Sequence, residues 1–311
     1  MVSILIPVRN AAPFLRKCLD SILNQTHRDW ELIAINDGST DESPNILEQY
    51  SLTDKRIHWL DNEGSGIIDA LRLAYSISTG ELITRMDADD IMPDRKLSSL
   101  LDTFTDSNKH VATGLVSYFD EQDELGPGFR RYEQWLNRLC RENRHYEEIY
   151  KECVIPSPCW MMHRNTLDQI GSFESSVYPE DYDLVFRLYK EKIPVIGVNQ
   201  LLHYWRDHGE RASRNDPNYA DHSFLDLKLS YFAKLDLNSD KQLFVWGAGN
   251  KGKRAAKFFL EQSIEFQWVS DNPRKLGKDI YGKIIQNSSD IQENSQTLIL
   301  IANPEEQKEI R

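Results

Sequence analysis

The sequence predicts an α/β protein in two parts: a doubly wound, Rossmann-like domain over residues 1–238 and a small Rossmann-like α/β domain over residues 239–311. Three observations point there. Short β-branched runs alternate with stretches of helical periodicity in units of about 30 residues, as in strand–helix–strand repeats around a parallel sheet. The polar run Asn238-Ser239-Asp240-Lys241-Gln242 interrupts that alternation. Directly after it, Leu243-Phe244-Val245-Trp246 opens a new strand that runs into the glycines 247, 249 and 252.

The elements follow in order. Val2-Ser3-Ile4-Leu5-Ile6-Pro7-Val8 is a β-branched run closed by proline and predicts a buried strand. Apolar residues at Phe14, Leu15, Cys18, Leu19, Ile22 and Leu23 have helical spacing, which gives a helix over 14–24. Residues 30–35 predict a second strand, 43–50 a helix, 56–60 a third strand, 67–78 a helix and 82–86 a fourth strand that ends at Asp87. Residues 126–153, rich in Arg, Glu, Tyr and Trp, predict surface helices; 180–192 predict a helix and 194–198 a strand. In the second domain a helix is expected over 253–262, with strands over 266–271 and 297–302.

With 311 residues, 40% hydrophobic and 28% charged, the chain has material for two cores. Its net charge of −12 argues against nucleic acid or anionic membrane as a partner, since those select for basic patches. The acidity is uneven: from Asp240 onward 11 Lys and Arg stand against 10 Asp and Glu, so the first 239 residues carry about −13. Cys18, Cys140, Cys153 and Cys159 form no CxxC pair and are expected as reduced thiols. Residues 1–7 form a strand rather than a signal peptide, and no apolar run approaches the roughly 20 residues that span a bilayer. A cytoplasmic protein, at most peripheral to the inner face of the membrane, is the expectation.

In a doubly wound sheet, ligands bind beyond the carboxyl ends of the strands. Arg9, Asn10, Asp37 and Asp87 all fall at such ends. Asp87-Ala88-Asp89-Asp90 follows a strand directly, and the period of two puts Asp87 and Asp89 on one side. Such a pair suits a hard cation shared with phosphate oxygens; a solvated turn that caps the next helix is the alternative.

Four segments occur in order: Ser3-Ile4-Leu5-Ile6-Pro7-Val8-Arg9-Asn10, Ala34-Ile35-Asn36-Asp37-Gly38-Ser39-Thr40-Asp41, Gly80-Glu81-Leu82-Ile83-Thr84-Arg85-Met86-Asp87-Ala88-Asp89-Asp90, and Glu180-Asp181-Tyr182-Asp183-Leu184. Together they resemble the family 2 glycosyltransferases of the GT-A fold, over roughly residues 1–235. The resemblance implies inverting transfer from a nucleoside-diphosphate sugar, UDP-linked by preference, to a carbohydrate or glycolipid acceptor in polysaccharide, lipopolysaccharide or other glycoconjugate synthesis. It implies Mn²⁺ or Mg²⁺ as cofactor. Pro7, Arg9, Asn10 and Asp37 would line the nucleoside pocket, Asp87 would contact the ribose side, Ala88 would bind the nucleotide sugar, and Asp89 would hold the metal. Arg85 would either face the phosphates or pair with an aspartate. Asp181 would be the general base and Glu180 a supporting or acceptor-binding residue, although carboxylates in a first helical turn also serve as caps.

Tyr204-Trp205-Arg206-Asp207-His208 resembles the segment that closes such sites with a metal- or phosphate-binding histidine, which makes His208 the candidate and leaves His203 to the preceding strand. Arg206, Arg211 and Arg214 suit diphosphate oxygens by their geometry. Residues 155–164 stand where the family has an acceptor-side loop, with Trp160 either a stacking surface or core. Many relatives have Tyr at Arg9, Asn at Arg72 and Gly near Pro158-Cys159. An inactive nucleotide-sugar- or carbohydrate-binding scaffold is the alternative function.

In the second domain, Gly247, Gly249 and Gly252 between a strand and a helix, with Asp271 about 20 residues on, match the dinucleotide fingerprint. The run resembles small Rossmann-like domains that accompany sugar-modifying enzymes. Those glycines either admit a pyrophosphate or serve only the tight turn.

Overall fold

The computed structural model describes residues 1–104, 109–121 and 125–300. The chain divides into two compact units, Met1–Tyr219 and Ala220–Arg311. The first opens with β1 (Val2–Val8), α1 (Ala12–Leu23), β2 (Trp30–Asn36), α2 (Ser43–Thr53), β3 (Ile57–Asp61), α3 (Ile67–Ile77) and β4 (Leu82–Arg85), in the order the periodicity predicts. It continues with α4 (Lys96–Leu101), β5 (Val111–Phe119), α5 (Pro127–Glu142), β6 (Trp160–His163), α6 (Arg164–Gln169), α7 (Glu180–Lys190), β7 (Val195–Arg206) and α8 (Ala212–Asn215).

These strands form one sheet in the order β3-β2-β1-β4-β6-β5-β7. All run parallel except β6, which lies antiparallel between β4 and β5. The central strands are largely apolar because helices cover both faces: β2 is buried over its whole length and β1 at every position but Pro7, with Ser3, Glu31 and Asn36 as their polar residues. α1 turns Leu15, Cys18, Leu19 and Ile22 onto the sheet. Burial of each of the leucines and the isoleucine contributes about 1.5–3 kcal/mol. From β1 the chain steps to β2 and β3 on one side and to β4 on the other, so the carboxyl ends of β1 and β4 flank the switch point of the sheet.

Two strands escaped the sequence pattern. Within residues 155–164, where an acceptor-side loop is expected, Trp160–His163 form β6, paired with β4 from Leu82↔His163 to Thr84↔Met161. Trp160 is therefore core and not a sugar-stacking surface: it is 3% exposed, and its carbonyl accepts from Thr84 Oγ1 at 2.5 Å. A four-residue apolar strand has no periodicity that separates it from a buried loop. In β5 the strand signal is weakened by Gly114, which β7 requires, since a Cβ there would lie 2.5 Å from Leu202 Cδ1. The expected surface helix α5 buries Leu136, Leu139 and Cys140.

The second unit contains α9 (Asp221–Tyr231), β8 (Leu243–Trp246), α10 (Asn250–Glu261), β9 (Gln267–Val269), the hairpin strands β10 (Asp279–Ile280) and β11 (Lys283–Ile284), and β12 (Gln296–Ile299). Its parallel sheet has the order β12-β8-β9. The division falls after Tyr219, ahead of the polar run near residue 239, because α9 joins α10. Asp226 pairs with Arg254, and Phe232 stands edge-on to Phe259 at 6.3 Å. The last predicted strand is present over Gln296–Ile299; its residues 301 and 302 lie outside the described residues. Among the described residues no helix is long and apolar enough to cross a membrane. All four cysteines are buried and unpaired with one another.

Candidate active site

The loops after β1 and β2 are stitched together by their own hydrogen bonds. Asn10 has a left-handed φ of 48°, its N–H donates to Ser39 Oγ at 3.0 Å, and its Oδ1 accepts from Thr40 N at 2.8 Å. Asp37, buried at the end of β2, accepts from Asn62 Nδ2 at 2.7 Å and from Gly66 N at 2.9 Å, which ties β2 to the ends of β3 and α3. The exposed Arg9 approaches it at 3.5 Å. Pro7 is half-buried within β1, opposite Ile35, and Ala88 is buried. Arg9, Asn10 and Asp37 thus form one wall at the carboxyl edge.

At the end of β4, Arg85 is 5% exposed and is occupied within the protein. Its Nη2 and Nε donate to Asp87 Oδ1 at 3.1 and 3.3 Å, and its Nη1 to Glu180 Oε1 at 2.9 Å. Glu180 Oε2 accepts from Tyr219 Oη at 2.6 Å. Burial pushes the Asp87 carboxyl up against the counter-pull of Arg85, and Asp89 adds to the push. Arg72, where many relatives have Asn, donates to the carbonyls of Phe173 and Glu174 and pairs with Asp69.

Asp89 and His208 meet: His208 Nε2 lies 2.8 Å from Asp89 Oδ2, and the imidazole packs on Phe14 at 4.5 Å. The neighbouring Asp90 turns inward, where its oxygens take His203 Nε2 at 2.8 Å and Arg206 N at 2.7 Å. Asp90 is the residue that fastens the loop carrying Asp89 to the strand leading to His208. Nothing in the sequence announces that role, because the partners lie more than 110 residues away. Burial pushes the Asp90 carboxyl well up and the His203 imidazole well down.

Of the three late arginines, two are committed elsewhere. Arg206 donates to the Asp89 carbonyl at 2.6 Å and to Glu121 at 2.7 Å, and Arg214 grips Asp207 at 2.6 and 2.8 Å. Arg211 lies over Trp205 at 5.5 Å, and its charge acts on Asp87, Asp89 and Asp90.

Asp181 is half-buried in the first turn of α7, and its Oδ1 accepts the N–H of Tyr182 at 2.7 Å. Burial and the adjacent Glu180 carboxylate raise its pKa to about 7, with Arg85 pulling the other way. A carboxylate that holds a proton near neutrality is matched to accept one from a hydroxyl.

Among the described residues no three His, Cys, Asp or Glu side chains converge as a complete metal set. Asp89 and His208 offer one oxygen and one nitrogen, a donor pair that fits an ion whose other ligands are phosphate oxygens and water.

The second unit has its own cleft, about 940 Å³, at the carboxyl ends of β8 and β9 and lined by residues 246–251, Arg254, Asp271 and Lys275. Its glycines have local causes. Gly247 has φ 124°, and a Cβ on Gly252 would lie 1.9 Å from the Gly247 carbonyl, to which Trp268 Nε1 also donates at 2.8 Å. Gly249 stands at the start of α10 with open space beside it. The Asp271 carboxylate accepts from Trp246 Nε1 at 2.8 Å and from the Ser288 hydroxyl.

Known proteins resemble this chain in sequence and in fold. The chain is 26% identical over 255 residues to "Glycosyltransferase GlyA" of Streptococcus pneumoniae serotype 4, covering 79% of this chain and 36% of that protein. An uncharacterized glycosyltransferase of Rickettsia prowazekii is 28% identical over 274 residues, 85% of this chain and 80% of the relative. The chain spans between about a third and a half of the length of the first curated relatives it matches. Two solved structures share the fold. The mannosyltransferase PcManGT of Pyrobaculum calidifontis, in complex with GDP-Man and Mn²⁺, gives a TM-score of 0.55 at 18% identity, over 75% of this chain and 63% of that one. TarS 1-349 of S. aureus, in complex with UDP-GlcNAc, gives 0.55 at 16% identity, over 83% and 71%. The family description "Glycosyl transferase family 2" matches residues 3–171, a span that runs from β1 through the Asp87–Asp89 loop to the end of α6. With that match over more than half its length, this chain belongs to glycosyl transferase family 2.

Proposed function

We propose that the chain is an inverting, metal-dependent glycosyltransferase that moves a sugar from a nucleoside-diphosphate sugar to a hydroxyl of a carbohydrate or glycolipid acceptor. The observation that carries this reading is Asp181, a half-buried carboxylate with a pKa near 7 beside a Glu180 whose two oxygens are already taken by Arg85 and Tyr219. Glu180 is left to support and Asp181 to react.

The acceptor oxygen attacks the anomeric carbon as its proton passes to Asp181, and the bond from that carbon to the diphosphate oxygen breaks on the opposite face. The nucleoside diphosphate leaves with the bonding pair. Arg9, Asn10 and Asp37 hold the base and ribose, with Pro7 and Ala88 shaping the wall and Asp87 reaching the ribose. Arg211 adds positive charge near the diphosphate. Asp89 and His208 would hold a Mn²⁺ or Mg²⁺, which supplies charge neutralisation for the leaving diphosphate. Complexes of the structural neighbours with GDP-Man and with UDP-GlcNAc support a nucleotide-sugar donor, and a uridine donor is the preferred choice. No residue of the second unit enters this chemistry.

Incubation with a panel of UDP- and GDP-sugars and Mn²⁺ tests the reading. Consumption of one donor to free nucleoside diphosphate is expected. Tight binding of a donor with no turnover, under any acceptor tried, would make the chain a binding scaffold instead.

A further inference from the structure

We propose that Arg85 is a positioning residue: with Glu180 and Tyr219 it forms a hydrogen-bonded chain that fixes the first turn of α7, and so Asp181, against Asp87 at the end of β4. The inference rests on the reading of Asp181 as the base, and it assigns the basic group at the centre of the site to the protein's own scaffold rather than to the donor phosphates.

The geometry leaves little else for Arg85 to do. Three of its nitrogens are engaged, two by Asp87 and one by Glu180, and the side chain is almost fully buried. The planar guanidinium spans the two carboxylates at once, which a lysine ammonium cannot do from one point. Tyr219 closes the far end through Glu180 Oε2 at 2.6 Å and stands edge-on to Tyr178 at 5.9 Å, just ahead of α7. A donor-side loop and the helix carrying the base are thereby joined by four residues from three separate stretches of the chain.

The chain has an electrical consequence. Asp181 faces Glu180 and Tyr182 on its own helix, Arg85 and Asp87 from the end of β4, Tyr219 after α8, Cys153 ahead of β6 and Tyr132 on α5. Among these Arg85 is the cation, and Glu180 is the carboxylate that acts on Asp181 most strongly. The two therefore bias the proton affinity of Asp181 in opposite directions: Glu180 raises it and Arg85 lowers it. Removing either disturbs the packing of the same chain, but only an electrostatic link sends the base one way in one variant and the other way in the other.

The test compares Glu180→Gln, Arg85→Met and Arg85→Lys with the parent, using hydrolysis of UDP-GlcNAc and GDP-mannose with Mn²⁺ as the turnover probe and calorimetric binding of UDP and GDP as the affinity probe. Turnover should fall by about 10–10²-fold in all three, the scale of a misplaced reacting group, and by more than nucleotide affinity falls. The pH midpoint of turnover should move down in Glu180→Gln and up in Arg85→Met, each by about one unit. Arg85→Lys, which keeps the charge and loses the fork, should keep the midpoint and still lose turnover. Midpoints that stay fixed, or that move in the same direction in the first two variants, would overturn the proposal. If Arg85→Met does not fold, Arg85→Lys decides: lost turnover at an unmoved midpoint with nucleotide affinity near the parent value upholds the positioning role, and full turnover overturns it. A parent that binds neither nucleotide with Mn²⁺, or whose turnover survives Asp181→Asn, overturns the functional reading first and this inference with it.

Discussion

The two edges of the large sheet use carboxylates withdrawn from solvent to different degrees, and for opposite purposes. At the amino edge Glu31 of β2 accepts from Ser3 Oγ at 2.6 Å, Thr79 N at 2.5 Å, Thr79 Oγ1 at 3.1 Å and Gly80 N at 3.1 Å. Burial alone would push that carboxyl up, yet the donors hold it below the usual value. At the carboxyl edge Asp181 has one backbone N–H and a carboxylate neighbour, and it is pushed up to about 7. Both sit in the same fold a few strands apart. The number of donors offered to each carboxylate separates a group that fastens strands from one that can exchange a proton.

The largest expected effect lies at the carboxyl edge. Asp181→Asn keeps size and polarity but removes the proton acceptor, so transfer should fall by about 10²–10⁴-fold while donor and Mn²⁺ binding stay near parental values. If Asp181 were only a helix cap, Asn would serve nearly as well, and rate and stability would both be retained. Next comes Asp89→Ala, which should remove the strengthening of UDP or GDP binding by Mn²⁺ in calorimetry, because no neutral side chain replaces a carboxylate ligand of a hard cation. Unchanged metal-dependent affinity would take Asp89 out of the metal site.

The amino edge should respond in stability and not in chemistry. Glu31→Gln leaves donors facing an amide and should cost about 1–3 kcal/mol in denaturant unfolding, with turnover per folded molecule unchanged. The sign with pH follows from the lowered folded-state pKa. Glu31's contribution is fully present above its unfolded value and is lost as pH falls through its folded value. The gap between parent and variant should therefore close in acid; a gap that widened there would place Glu31 with the raised carboxylates.

The smallest effect is expected from the second unit. A chain shortened to end at Tyr219 retains the hydroxyl that holds Glu180 and leaves no stranded α9, whose Leu225, Leu227 and Leu229 are buried. Its donor hydrolysis should match that of the full chain. A soluble, monodisperse shortened chain without donor binding would contradict this division of labour.

Much of the sheet was legible because its central strands are apolar runs that end in polar turns, and the helices between them carry clear 3.6-residue spacing. The strand-end residues Arg9, Asn10, Asp37 and Asp87 were visible for the same reason. What escaped depended on distant partners. Trp160 joined β6 because Thr84 and Thr113 take the carbonyls of residues 160 and 159, and no local pattern encodes that. The sequence offered an aspartate as a partner for Arg85, but its bond to Glu180 and the bonds of Asp90 and Tyr219 reach residues 39 to 116 positions away. The glycines 247 and 252 matched a ligand fingerprint, and the fold gives each a packing reason of its own.

The central claim is that Asp181 accepts the acceptor's proton, and the pH dependence of donor turnover tests it most directly. With Mn²⁺ held saturating, the parent rate should fall as pH drops through about 7, where Asp181 takes up a proton, and the residual rate of Asp181→Asn should show no such step. A parent rate that stays level well below that pH, or an Asp181→Asn variant that retains the same step, would contradict the assignment.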